Sequence, residues 1–377
     1  MDNNKTNKKR IEWIDVFKGF LIILMVIGHS NNPYLGSYIY TFHVAAFFFI
    51  SGYCVNYEKE EFSKFFLNKF KRLIIPFYVF NIVVYFIQFL LVKMNWYELF
   101  YSAPFQRESL LNFIKYNWIF DLSGATWFLP ILFMALISSK LIYDVIKLKI
   151  DLKKMKFDIS YLHVAICFIL FIAAYFLFYV GKENLAYNMD LIFIGLLFVS
   201  IGLLYKHLTP KMNSIKANII KIITIILYII LVIYDLQQID IVERILPSIP
   251  ILLIYIFGGI FILEYISKLI SKSKKKNILI YLGKNTLDIM LYHFIGFRFA
   301  FCLLYKLNII EKSAIQSLVP VYRDFWLTLL TAVIGILVSI AIKYFVDFIK
   351  KLFSIIIKFV KTKFKLCDDN KKELEAN

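Results

Sequence analysis

The chain is built from apolar runs of about 20 residues, separated by short stretches that hold most of the charged side chains. A helix needs about 20 mostly apolar residues to cross the hydrocarbon core of a bilayer. The runs do not alternate as barrel strands do, and an open sheet cannot satisfy its backbone in lipid. The pattern predicts an all-α polytopic membrane protein of about ten transmembrane helices, at 13–30, 38–57, 73–93, 126–146, 161–180, 188–206, 218–236, 247–267, 279–305 and 325–348.

Basic residues are distributed unevenly between these segments. Most Lys and Arg side chains precede the first segment, follow the last one or lie in every second loop. Cytoplasmic loops of membrane proteins carry such an excess, so both termini are predicted to be cytoplasmic, with the chain in the cell membrane. The chain then divides into a cytoplasmic N-terminal segment (1–12), a transmembrane domain (13–348) and a basic cytoplasmic tail (349–377).

Composition excludes several other classes of protein. The chain is 60% hydrophobic and 19% charged, with a mean hydropathy of +0.70, and a soluble chain would need more polar surface. The net charge of +18 lies in clusters between apolar runs, which indicates membrane lipid rather than nucleic acid as a partner. The four cysteines show neither CxxC nor metal-ligand spacing, so neither a disulfide framework nor a metal site is expected.

Ionisable side chains within the first apolar segment are candidates for chemistry, because charged groups are costly inside a membrane. Lys18 and His29 are eleven residues apart, which places them on one face of a helix and about 16 Å apart along its axis. Two simpler interpretations are that Lys18 extends to the interface and pairs with Asp15, and that His29 is an interfacial histidine. The spacing itself predicts a cation near the inner surface and an imidazole in the outer half.

A second basic group precedes the third segment. Lys69 and Arg72 are three residues apart and would share one face of a helix. Such a cluster is ordinary at the cytoplasmic end of a transmembrane helix. The alternative is an anion site for the phosphates of a cytoplasmic ligand, where Arg can bind bidentately.

Five short motifs make the chain resemble the acyltransferase 3 superfamily, whose members are membrane-bound O-acyltransferases of surface glycans. Each motif is short, but together they follow the order of the family and span most of the chain. They are Asp15-Val-Phe-Lys18-Gly19 with Gly28-His29, His43-Val-Ala-Ala-Phe47-Phe-Phe-Ile-Ser51-Gly52, Lys69-Phe-Lys-Arg72 with Pro76, Trp127-Phe-Leu129, and Gly283-Lys-Asn-Thr-Leu287 through Tyr292-His293.

The resemblance implies an acyl-CoA donor, acetyl-CoA above all, and a hydroxyl of a cell-surface or lipid-linked glycan as acceptor. It implies that Lys18, Lys69 and Arg72 hold the phosphates of CoA, while the long arm of CoA carries the thioester to His29. His29 would act as general base on the sugar hydroxyl or would carry the acyl group itself. An unperturbed histidine pKa of about 6.5 suits either role.

The other motif residues have weaker assignments. His43 and His293 are further catalytic candidates, with packed histidines bonded between helices as the alternative. Trp127 and Asn285 are candidates for substrate binding. Ser51 could be a nucleophile, but a Ser-Gly pair in an aromatic helix is more often a close-packing site.

The chain departs from the family pattern at two places. Lys18 stands where the larger family has Arg, which points to the branch that resembles fucose O-acetylases, and Val44-Ala45-Ala46 replaces the usual Met-Pro pair after His43. Two other functions fit the same motifs: export of a surface polysaccharide, and a structural role beside a glycan synthase. Acetyl and succinyl donors both fit, as do several acceptor glycans, and the motifs carry no information on oligomeric state.

Overall fold

The computed structural model describes residues 11–107, 110–111, 113, 121–149, 158–181, 185, 188–209, 214–234, 237, 239–274 and 276–375, without the side chains of 121 and 358–375. The first ten residues of the predicted N-terminal segment lie outside this range. Within it, strand pairing is limited to one isolated bridge between Asp240 and Ile245. The described α-helices are α1 (Glu12–His29), α2 (Gly36–Tyr40), α3 (His43–Cys54), α4 (Phe62–Lys93), α5 (Tyr97–Phe100), α6 (Phe128–Lys149), α7 (Ile159–Val180), α8 (Leu191–Leu208), α9 (Ile215–Tyr234), α10 (Ile249–Ile270), α11 (Lys276–Lys284), α12 (Thr286–Lys306) and α13 (Phe325–Glu375).

Eight of the described helices are long and apolar enough to cross a membrane: α4, α6 to α10, α12 and α13. They correspond to eight of the ten predicted segments. The first segment is the 18-residue α1, whose first half carries Glu12, Asp15 and Lys18. The prediction of an all-α polytopic membrane protein is confirmed.

The second predicted segment, 38–57, is wrong as a single helix. The chain turns between α2 and α3, where the Thr41 hydroxyl donates to the Tyr38 carbonyl (2.6 Å) and Phe42 has a φ of −144°. The remaining α3 has 12 residues, a length of about 18 Å, against about 30 Å of hydrocarbon. The break makes His43 the first residue of α3, and the apolar pattern could not reveal it because the residues on both sides are apolar.

The predicted segment 279–305 is also wrong as a single helix, because α11 and α12 are separated at Asn285. Two further helix boundaries lie far from the predicted ones. α4 begins at Phe62, well before the predicted start at 73, and contains a π-helical turn at Phe70–Ile74. α13 continues through Glu375 without a break at 348. The longer α4 places Lys69 and Arg72 within a helix rather than in the loop before it.

Glycines allow two helix pairs to approach at backbone distance. A Cβ added at Gly19 would overlap the Leu279 carbonyl, and one added at Gly283 would overlap the Asp15 carbonyl, so α1 and α11 touch at both points. Gly52 of α3 meets the carbonyl of Val199 on α8 in the same way. The last contact shows that Gly52 is a close-packing site.

A buried carboxylate joins α8, α9 and α10. Glu264 of α10 is 4% exposed and accepts a hydrogen bond from Tyr205 of α8 (2.7 Å). It also pairs with Lys221 of α9 (3.0 Å) and with Lys268 one turn further along α10 (2.6 Å). Because most side chains of α9 are exposed, this cluster is an important polar attachment of α9 to the described bundle, beside the hydrogen bond from Tyr255 to the Leu231 carbonyl.

Replacing Glu264 by glutamine is expected to lower the free energy of unfolding by about 3 kcal/mol, because Lys221 and Lys268 lose their anion. The measurement is denaturant unfolding of the purified protein in detergent micelles, followed by tryptophan fluorescence. The matched control is Glu243→Gln, the same exchange at an exposed loop residue, which should leave the midpoint unchanged. Equal midpoints for the two variants would contradict the prediction.

Candidate active site

A cavity of about 380 Å³ lies between α1, α3, α4, α6 and the junction of α11 and α12. Its wall is mainly apolar, with polar groups gathered near the two ends of α1. Six of the eight residues predicted from the sequence line it: Lys18, His29, His43, Lys69, Arg72 and Trp127. The other two, His293 and Asn285, are not part of the lining. The structure therefore brings the predicted cation and histidine of α1 together with the predicted histidine of α3 and the predicted cations of α4.

The end of the cavity beside the start of α1 is cationic. Lys18 lies here, and the Lys69 ammonium is within electrostatic range of both Lys18 and Arg72. Lys284, the last residue of α11, adds a fourth cation from another wall, and Asp288 is the carboxylate among the described lining residues. An excess of positive charge at the mouth of an apolar cavity suits a ligand that carries several phosphates.

The π-helical turn of α4 separates Lys69 from Arg72. Lys69 ends the regular helix, with its ammonium 5.0 Å above the ring of Phe65, and Arg72 lies within the turn. Both still line the cavity, as their spacing on one face predicted. Such turns are frequent at functional sites, because they alter the direction of side chains without ending the helix.

The other end of the cavity holds histidines. His29 is the last residue of α1 and His43 is the first residue of α3, and their ring centroids are 6.5 Å apart. His293 of α12 lies behind His29, with a centroid distance of 5.2 Å and its Nε2 3.5 Å from His29 Nδ1. Among the described residues no group of three potential ligands has metal-binding geometry.

Backbone carbonyls assign the protons on His293 and His43, and the contact between His293 and His29 then assigns the proton on His29. His293 Nδ1 donates to the Met290 carbonyl (2.9 Å), which leaves its Nε2 as an acceptor. That acceptor faces His29 Nδ1, so His29 Nδ1 carries the proton and His29 Nε2 is the unprotonated nitrogen. His43 Nδ1 donates to the Ile39 carbonyl (2.9 Å), so its Nε2 is unprotonated as well. The cavity thus contains two imidazole rings, each able to accept a proton at Nε2.

Trp127 is held at the cavity by a hydrogen-bonded segment. It ends the 3₁₀ helix Asp121–Trp127, in which the Ser123 hydroxyl donates to Asn81 of α4 (2.6 Å). The Asn81 amide in turn donates to the Thr126 hydroxyl (3.3 Å). These buried bonds fix the ring position relative to α4, and they keep Trp127 a candidate for contact with a substrate.

Asn285, a candidate for substrate binding in the sequence analysis, does not line the cavity. It lies between α11 and α12, and its side-chain amide donates to the Tyr281 carbonyl (2.7 Å). This contact joins the end of one helix to the start of the next. In this position Asn285 supports the turn that presents Lys284.

Lys284 and Cys54 are lining residues with reactive or charged side chains that were not assigned a role from the sequence. Lys284 belongs to a family motif. Its charge within the predicted apolar segment 279–305 could have identified it as a candidate. Cys54 lies on the face of α3 that starts at His43 and continues through Phe47 and Ser51, a helical spacing that could have identified it. Its thiol is exposed and lies within electrostatic range of Lys69.

Comparison with known proteins identifies the family. The model of the family described as Acyltransferase domain, that of the acyltransferase 3 superfamily, matches residues 11–347 and so covers the cavity and most of the chain. Searches of curated proteins and of solved structures give no match. The chain therefore belongs to the acyltransferase 3 superfamily and is a membrane acyltransferase.

Proposed function

We propose that this protein is an O-acyltransferase that moves an acetyl group from acetyl-CoA to a hydroxyl of a cell-surface or lipid-linked glycan. One observation carries the proposal: a single cavity joins a cluster of four cations to a pair of imidazole rings. Lys18 and His29 mark its two ends on α1, about 16 Å apart. The extended arm of CoA between phosphates and thioester has a comparable length.

The position of the cations favours one direction for the donor in the cavity. Its phosphates would pair with Lys18, Lys69, Arg72 and Lys284, where guanidinium and ammonium groups give charge-assisted hydrogen bonds. The arm would lie along the apolar wall, which includes Ile22, Met25, Phe47 and Leu132, and the thioester would lie beside His29.

The proton positions support direct transfer with His29 as general base. As the sugar oxygen attacks the thioester carbonyl, His29 Nε2 takes the hydroxyl proton, the carbon–sulfur bond breaks, and the CoA thiolate receives that proton. His293 Nε2 accepts from His29 Nδ1 throughout, so it holds the ring in the required tautomer and stabilises the imidazolium. His293 is therefore a positioning residue, whereas His43 is near enough to contact the acceptor.

The distribution of charge supports one orientation in the cell membrane. The basic loops support cytoplasmic termini, which would place the cationic end of the cavity at the cytoplasm, where acyl-CoA is made. His29 and His43 would then lie in the outer half, close to a glycan at the cell surface. The acceptor would be acylated on that side.

The test uses Cys54 as a reporter of donor binding. In a Cys302→Ser/Cys367→Ser background, Cys54 is the exposed thiol and Cys167 is buried, so alkylation by N-ethylmaleimide reports the cavity. Acetyl-CoA has no free thiol and is expected to slow this alkylation. Arg72→Ala should raise the half-protecting concentration about tenfold or more, because charge-assisted hydrogen bonds to phosphate are lost.

The controls separate phosphate recognition from general damage. S-acetylpantetheine, which lacks the phosphates of CoA, should protect the parent protein and Arg72→Ala at the same concentration. Arg323→Ala, the same exchange at an exposed residue in the loop before α13, should leave acetyl-CoA protection unchanged. Absence of protection by acetyl-CoA, or equal protection of Arg72→Ala and the parent, would refute the donor site.

A further inference from the structure

Two lysines donate hydrogen bonds to backbone carbonyls of the loop between α3 and α4. Lys206 of α8 donates to the Val55 carbonyl (2.6 Å), and Lys140 of α6 donates to the Tyr57 carbonyl (3.0 Å). Both carbonyls belong to the loop that follows Cys54, the last residue of α3. The loop connects Cys54, at the cationic end of the cavity, to the helix that carries Lys69.

Lys140 is unusual among the cations of this protein. Its side chain is 3% exposed, lies within a helix apolar enough to cross a membrane, and does not line the cavity. Asp144, one turn further on, balances the charge at 2.6 Å. A buried charge in such a helix is costly, and its contacts are therefore candidates for a functional role.

A chain of contacts leads from Lys140 to the donor site. Tyr57 is 3% exposed and is held at both ends, since its carbonyl accepts from Lys140 and its hydroxyl donates to the Leu136 carbonyl (3.4 Å). Its ring meets the ring of Phe65 edge-on, with centroids 5.5 Å apart. Phe65 is 1% exposed and lies under the Lys69 ammonium at 5.0 Å. The position of Lys69 thus depends on where Tyr57 and Phe65 are packed.

We propose that Lys140 is a positioning residue for donor binding, which holds Tyr57 so that Phe65 supports Lys69 at the phosphate end of the cavity. This inference rests on the proposed function, because it takes Lys69 to bind a phosphate of the acyl-CoA. Lys140 contacts neither the donor nor the reacting atoms, and it acts through Tyr57 and Phe65.

The experiment measures how Lys140→Met changes protection of Cys54 from N-ethylmaleimide. The half-protecting concentration of acetyl-CoA should rise about fivefold, the size expected when a cation–π support is lost. The concentration of S-acetylpantetheine that gives half-protection should not change, because that donor has no phosphate for Lys69. A general disturbance of the loop would instead weaken protection by both donors.

Two further variants keep the test decisive where Lys140→Met folds poorly. Lys140→Met/Asp144→Asn removes both charges of the buried pair, and Phe65→Leu keeps an apolar group under Lys69 but removes the ring. Both should show the same selective loss. Lys147→Met is the matched control, since Lys147 is exposed on the same helix, and it should bind acetyl-CoA as the parent does.

Each outcome has a separate meaning. A rise confined to acetyl-CoA supports the positioning role. A rise with both donors, or no rise in any of the variants, overturns it. If the Lys140 and Phe65 variants bind acetyl-CoA normally but Arg72→Ala does not, the inference about Lys140 fails and the donor site stands. If Arg72→Ala also binds acetyl-CoA normally, the proposed function fails as well.

Discussion

Replacing His29 by alanine is expected to reduce acyl transfer between about 100-fold and 10,000-fold, the range for loss of a general base. The variant should still bind acetyl-CoA, because the cations lie at the opposite end of the cavity. In purified protein the expected result is loss of CoA release with unchanged protection of Cys54. His293→Ala should retain more activity than His29→Ala, because the base remains and only the hydrogen-bond partner of its Nδ1 is lost.

The cellular readout of the same variant separates catalysis from export. A His29→Ala strain should keep its surface glycan but lack ester groups on it, as measured by mild alkaline release of acetate. Loss of the glycan from the surface would instead indicate export. His207→Ala is the control, because His207 is an exposed histidine of α8 outside the cavity lining, and it should give parental ester levels.

The pattern of apolar residues predicted the helices that face lipid and failed where side chains redirect the backbone. The segment 325–348, for example, has no charged residue before Lys343, and the structure places a helix there. The break before His43 depends on the Thr41 hydroxyl and on one residue outside the helical region. The segment 38–57 remains mainly apolar on both sides of the break, so its hydrophobic pattern gave no sign of the break.

The predicted site shows a similar division. Lys18 and His29 share one helix, so their spacing alone fixed their common face. The meeting of His29 with His43 and His293 depends on which helices pack together, and spacing within one helix contains no such information. The contact of Lys140 could not be predicted for the same reason, because its partner, the Tyr57 carbonyl, is a backbone atom distant in sequence.

Gly283→Ala is expected to lower the free energy of unfolding by about 3 kcal/mol, at the upper end of the cost of overpacking. A Cβ at this position would overlap the Asp15 carbonyl, and a backbone oxygen within α1 cannot move away as the tip of a side chain can. α1 and α11 would have to separate. Because Gly283 lines the cavity between Lys18 and Lys284, donor binding should weaken along with stability.

Gly36→Ala provides the matched control, since a Cβ added at Gly36 meets no atom within 4 Å. Gly36 lies in α2, where alanine favours the helix by up to about 1 kcal/mol, so this variant should be as stable as the parent or slightly more stable. Thermal unfolding in detergent, with size-exclusion chromatography before heating, measures both variants. A Gly283→Ala protein that unfolds at the parental temperature and binds acetyl-CoA normally would show that α1 and α11 do not pack at backbone distance. The positions of Lys18 on α1 and Lys284 on α11 at the cationic end of the cavity would then need revision.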